Sequence, residues 1–324
     1  MSSSPPASPA PLRPSLSETV RTLLGDAWNA WVKLMKVLVP ALLIVKLLDE
    51  LGGTELLGAL LAPALGLLGL PDWAGLVWAA TLLTNLLTGM VLVVQFAQDG
   101  TFSVAQATVL GTLMLVGHSL PVEGAVARRA GVPWRVTIAL RVGGALVLGG
   151  LLHALYSGFG WLQEPARLAW QPDTGDNSLI GWAVAQLEAL ALIFLIVLAL
   201  MALLEGVRRV GLERLVHLAL APLLRLLGIG RSATHITVIG VLLGLTYGAG
   251  LMIRDVEAGI MSRRDSALAL CFLGLVHSIV EDTLLILALG AHLSGILVAR
   301  LVFAVVLIVL VSRLVPERVF AVAR

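Results

Sequence analysis

Apolar and polar positions along this chain alternate in blocks the length of helices, not residue by residue. Residues 1–17 are mostly Ser, Pro and Ala, with Arg13 as a lone charge, and predict a disordered tail. Residues 18–31 form an amphipathic stretch with Arg21, Trp28 and Trp31, followed by Lys33 and Lys36; the pattern predicts an interfacial lead-in helix. Apolar runs then follow one another. Residues 32–48 predict a first span that ends in Asp49, Glu50 and Glu55. Residues 56–70 hold Pro63 and are short for a ~30 Å hydrocarbon core, so they span, re-enter or lie in the interface. Residues 73–96, 103–127 and 134–156 are each long enough to cross. A polar linker over 157–181, with Pro165, Pro172, Asp173 and Asp176, separates these from a second set over 182–204, 215–227, 236–253, 266–289 and 295–312. Residues 315–324 predict a cytoplasmic tail.

The second set repeats the first. A shift of 159 residues, without a gap, places Gly52 on Gly211, Pro63 on Pro222, Gly69 on Gly228 and Gly89 on Gly248. It continues through Gly100 on Gly259, Ser103 on Ser262, Gly131 on Gly290 and Arg141 on Arg300. Residues 32–156 and 182–314 therefore read as two membrane repeats. Their charges are reversed. Asp49, Glu50 and Glu55 follow the first span of repeat one, whereas Arg208, Arg209 and Arg214 follow that of repeat two. Arg128, Arg129 and Arg135 follow the fourth segment of repeat one, and repeat two has no cation there until Arg300. Because positive residues favour the cytoplasm, the expectation is a pair of inverted repeats with both termini cytoplasmic. The pattern admits ten crossings, or six plus two re-entrant hairpins.

Composition sets the class. With 58% apolar and 13% charged residues and a mean hydropathy of +0.97, the chain reads as an all-α integral membrane protein whose first partner is the lipid bilayer. A net charge of +2 is too small to suggest nucleic-acid binding. The single cysteine, Cys271, excludes an internal disulfide. No phosphate-binding loop and no H-E-x-x-H or other catalytic spacing is present, so an enzyme is not expected. The sequence leaves the cofactor open, and a homo-oligomer is compatible with the pattern.

Against this apolar background one motif occurs twice. Val116-Gly-His118-Ser119-Leu-Pro121-Val122-Glu123 in repeat one matches Leu275-Val-His277-Ser278-Ile-Val280-Glu281-Asp282 in repeat two. Ionisable groups in hydrocarbon cost several kcal/mol unless they face protein or water, so they mark a site. Ser278-x-x-Glu281 has the spacing of a capping box, and Pro121 suits the first turn of a new helix. Both copies thus predict a helix that stops at the histidine and another that starts at the serine, leaving free N–H groups at membrane depth. His118, His277, Glu123, Glu281 and Asp282 are suited to three chemistries: ligating a divalent metal, relaying protons, or hydrogen-bonding a polar solute. The competing reading is interhelical glue, with Arg141 and Arg300 neutralising the carboxylates. Thr84, Asn85, Thr88 and Tyr247 are supporting candidates for the same cavity or for helix packing.

The duplicated His-Ser motif with its acidic residues resembles the nucleoside recognition, or Gate, family of bacterial polytopic membrane proteins. That family covers relatives of nucleoside-transporter cores, spore maturation membrane proteins and the membrane core of ferrous-iron transporters. The likeness rests on His118-Ser119 and on His277-Ser278-Ile-Val-Glu281-Asp282-Thr283, over residues 80–155 and 240–312. It implies a gated pathway in a bacterial inner membrane. The expected function is transport of a small polar or charged solute, with proton coupling, through a site where the repeats meet. A divalent-cation permease and a non-transporting scaffold or assembly factor are the alternatives.

Overall fold

In a computed structural model, residues 16–51, 63–97, 100–169, 179–210, 218, 220, 222–224, 226–245, 252–256 and 258–314 are described. Several expectations lie outside them: the tail before residue 16, Gly52, Glu55, Asp173, Gly211, Arg214, Tyr247, Gly248 and the tail after 314. Among the described residues the fold is all-α, with a single bridge between Ser103 and Pro165 in place of any strand. Four helical stretches, Val104–Arg129, Trp134–Phe159, Arg263–Leu287 and Ser294–Leu314, are long and apolar enough to cross a membrane. Two come from each half of the chain. The protein is an all-α integral membrane protein.

Helix α1, Leu16–Glu50, joins the expected lead-in and first span into one rod. It already includes Leu16 and Ser17, so the expected tail and lead-in boundaries are both displaced. The reason is a partner. Helix α7, Leu179–Val210, packs along α1, and Phe194 meets Trp28 and Trp31 edge-on with centroids 6.1 and 6.0 Å away. Trp31 Nε1 also donates to the Leu190 carbonyl at 3.0 Å. The tryptophans expected at the interface thus tie one helix to another.

The single span expected over 73–96 is broken into α2, Ala74–Leu83, and α3, Leu86–Phe96. Asn85 causes the break. It sits in extended backbone and its Oδ1 accepts from Thr88 N at 3.0 Å, capping α3. Gly89 lets the two pieces meet: a Cβ there would overlap Thr81 Oγ1 and Met114 Cε. Thr88, fully buried, adds a longer contact to Asn85 Oδ1 at 3.3 Å. These polar residues build the break.

Helix α4, Val104–Gly117, is the centre of the molecule, almost wholly buried. A reciprocal cap of Ser103 with Gln106 starts it, and one half of that arrangement recurs at α9, Arg263–Leu275, where Ser262 accepts from Asp265 N. The expected break at the motif is present in both halves. Helix α5, Leu120–Arg129, resumes after His118-Ser119, and α10, Ile279–Leu287, resumes after His277-Ser278. The expected capping box at Ser278 is not formed. Ser278 and Ser119 adopt left-handed backbone, φ 45° and 51°, and neither side chain caps its helix. A capping serine needs extended backbone, which this reversal does not provide. Two further stretches flank the site: α6, Trp134–Phe159, and α11, Ser294–Leu314. Each contains one wide π-turn segment, Ala139–Gly143 holding Arg141 and Ser294–Ala299 just before Arg300. Helix α8, Arg231–Leu243, ends at Gly244, the position equivalent to Asn85.

Candidate functional site

The site assembles from helix ends that the breaks leave open. The last carbonyls of α4 have no partner within the helix, and Arg141 takes them. Its Nε donates to Val116 O at 2.8 Å and its Nη2 to His118 O at 2.7 Å. Its Nη1 pairs with Glu123 Oε2 at 2.5 Å. Ser119 closes the other side: its N–H donates to Thr81 O at 3.1 Å and its hydroxyl to Thr84 O at 2.9 Å. Thr84 thus takes part through its carbonyl, and Ser119 clamps the α2 end to the α4 break.

Repeat two builds the same frame. Arg300 Nε donates to Leu275 O at 2.7 Å and Nη2 reaches His277 O at 3.4 Å, the counterparts of the Arg141 bonds. Gly244 lies against Ser278, whose Oγ would sit 3.2 Å from a Cβ on that glycine. The ion pair is where the halves differ. The 159-residue shift puts Asp282, not Glu281, opposite Glu123. Asp282 is one methylene shorter. Its Oδ2 and Arg300 Nη1 are both buried without a hydrogen-bond partner. Glu281 is half-buried, stands opposite Val122, and lies at the edge of the cluster, near enough to interact electrostatically with His277.

Between the frames the two imidazoles meet. His118 Nε2 and His277 Nε2 are 3.0 Å apart. Each ring is held from behind by the carbonyl four residues earlier: His118 Nδ1 to Met114 O at 3.1 Å, and His277 Nδ1 to Leu273 O at 2.8 Å. A carbonyl only accepts, so both Nδ1 atoms carry hydrogen. Neutral rings of that tautomer would point two bare lone pairs at each other. A single positive species between the rings would satisfy both lone pairs. Glu123 Oε1 faces the contact, 3.3 Å from His277 Nε2 and 3.5 Å from His118 Nε2. Asp282 Oδ2 stands 4.0 Å from His118 Nε2.

The chain is 30% identical over 281 residues to the uncharacterized membrane protein YvoD of Bacillus subtilis (strain 168), across 84% of this chain and 87% of YvoD. It belongs to the YvoD family. No family model matches the chain, and no solved structure does. The relation to YvoD agrees with the membrane assignment.

Of the residues singled out in the sequence, His118, His277, Glu123, Asp282, Arg141 and Arg300 converge on one buried cluster. Ser119 supports it from the side, and Ser278 occupies the equivalent turn; Thr84, Asn85 and Thr88 shape the neighbouring break. Sequence reasoning missed Thr81, whose carbonyl receives the Ser119 N–H. It also missed the second duty of the arginines, which cap helix ends as well as balance charge. Their alignment at Arg141 and Arg300 was the available signal.

Proposed function

We propose that this protein is a proton-coupled membrane transporter in which His118 and His277 hold a proton where two inverted repeats meet. The observation that carries this reading is the 3.0 Å Nε2–Nε2 contact between rings whose Nδ1 atoms are already committed to carbonyls. One proton satisfies both lone pairs, and Glu123 Oε1 is within reach to receive it. The rings sit in equivalent helix breaks, so a movement of one half against the other would part them and release the proton. The Gate-type resemblance, residues 32–156 and 182–314 as the repeats, and an inner-membrane location with cytoplasmic termini belong to the same proposal.

A second reading has its own observation. One ligand atom each from His118, His277 and Asp282 lies within 4.8 Å of the others, a donor set suited to a divalent cation as cargo. Charge balance favours the proton. The Glu123 and Asp282 carboxylates already match the Arg141 and Arg300 guanidiniums, and the burial penalty rises with the square of the excess charge. A proton leaves an excess of one charge, and a divalent cation leaves two.

The test is flux in proteoliposomes holding a pH-sensitive dye, with an imposed potential, alone and with small polar solutes. Wild type should carry proton flux above empty vesicles, and His118→Ala plus His277→Ala should reduce it to that background. No flux under any condition, or full flux in a well-folded double variant, sinks the proposal and favours a scaffold. Uptake of divalent cations without proton movement selects the second reading.

A further inference from the structure

The two halves differ in the space beside the site. A small cavity, with room for about one water, lies against the Glu123–Arg141 pair and is walled by Ala127, Thr137, Cys271 and Gly274. Thr137 also faces it, and its buried Oγ1 has no hydrogen-bond partner. A water in the cavity would give that hydroxyl a partner. The wall continues to Val132, between the exposed Arg129 and Arg135.

The equivalent place in the other half is filled. The 159-residue shift pairs Ala127 with Ile286, Thr137 with Ile296 and Gly274 with Leu115. All three larger residues are at 0% exposure. Ile286 presses into the notch of Gly111, where a Cβ would come within 2.3 Å of its Cγ2 and 3.6 Å of that of Ile296. At these three pairs one side has Ala127, Gly274 and the Thr137 hydroxyl, and the other has Ile286, Leu115 and Ile296; the pair Leu270 and Gly111 runs the other way, and Ile286 fills that notch. We infer that the cavity at Glu123, Thr137 and Cys271 is the water-admitting access route to the histidine pair, opening toward the face that bears Arg128 and Arg129, and that Leu115, Ile286 and Ile296 close its counterpart. The occupant is water or a hydrated proton; an organic solute does not fit this conformation. The role of the route rests on the transport reading, but its existence does not.

Cys271 is the only cysteine of the chain and lines the cavity, so the native protein carries its own reporter. Membrane vesicles of both orientations are exposed to Ag⁺ in nitrate buffer, then denatured, and the remaining thiol is read with a fluorescent maleimide. The expected result is loss of labelling at Cys271 when Ag⁺ meets the Arg128 face, and retained labelling from the opposite face. Thr112→Cys in a Cys271→Ser background places a thiol at the equivalent, plugged position. It should stay labelled, and adding Ile286→Ala should make it sensitive. Full labelling of Cys271 from both faces, loss only from the opposite face, or equal loss at Thr112→Cys overturns the inference. The native arm needs no variant to fold. It also reads access without any flux, so its failure is distinct from failure of proton transport.

Discussion

One methylene separates the two halves of the buried cluster. Glu123 reaches Arg141, whereas Asp282 leaves its own Oδ2 and Arg300 Nη1 without hydrogen-bond partners. Truncation should therefore be unequal. Glu123→Ala strands a buried guanidinium and should destabilise by about 3–5 kcal/mol, the usual result of removing one partner of a buried pair. Asp282→Ala loses the charge balance with Arg300 but no direct ion pair, and should cost less. Asp282→Glu should restore the Arg300 pair, raise the unfolding midpoint, and impair transport by filling the gap. Denaturant unfolding in detergent of the three variants checks this, and equal losses for the two alanine variants would refute the asymmetry. The sequence displayed these acids and the 159-residue shift that pairs Glu123 with Asp282. Side-chain reach across the fold was not legible, because it depends on where a π-turn places each arginine.

At the scale of elements, the helix breaks at His118-Ser119 and His277-Ser278 were legible from Pro121 and from polar residues in apolar runs. Their geometry was not. Serine in left-handed backbone costs roughly 1–2 kcal/mol, which glycine avoids. Ser278 makes no cap bond, so Ser278→Gly should leave stability unchanged or raise it. Ser119→Gly gains the same relief but gives up the hydroxyl bond to Thr84 O, worth about 0.5–1.5 kcal/mol. It should fall below Ser278→Gly. Paired thermal unfolding curves decide the order, and a large loss at Ser278→Gly would show that its hydroxyl has a duty not visible in the frame. The break at Asn85 escaped sequence reading because residues 73–96 are long enough to span unbroken, and one asparagine is a weak signal until its cap to Thr88 is seen.

At the scale of the whole molecule, two hydrogen-bond contacts among the described residues join positions at the repeat spacing itself: His118 to His277, and Trp31 to the Leu190 carbonyl, each 159 positions apart. Equivalent residues touch only where a two-fold operation brings a surface onto itself, so both contacts are expected along the axis that relates the halves. The proposed inversion places that axis in the membrane plane, and the charge reversal between Glu50 and Arg208 supplies the independent argument. It predicts opposite sides for these two equivalent helix ends. In a Cys271→Ser background, Glu50→Cys should react with an impermeant maleimide added to intact cells, and Arg208→Cys should react only after permeabilisation. Reaction of both from outside, or of neither, would mean that the repeats run in the same sense. A parallel arrangement would turn the axis along the membrane normal, and the closed and open sides of the histidine pair could no longer face opposite compartments.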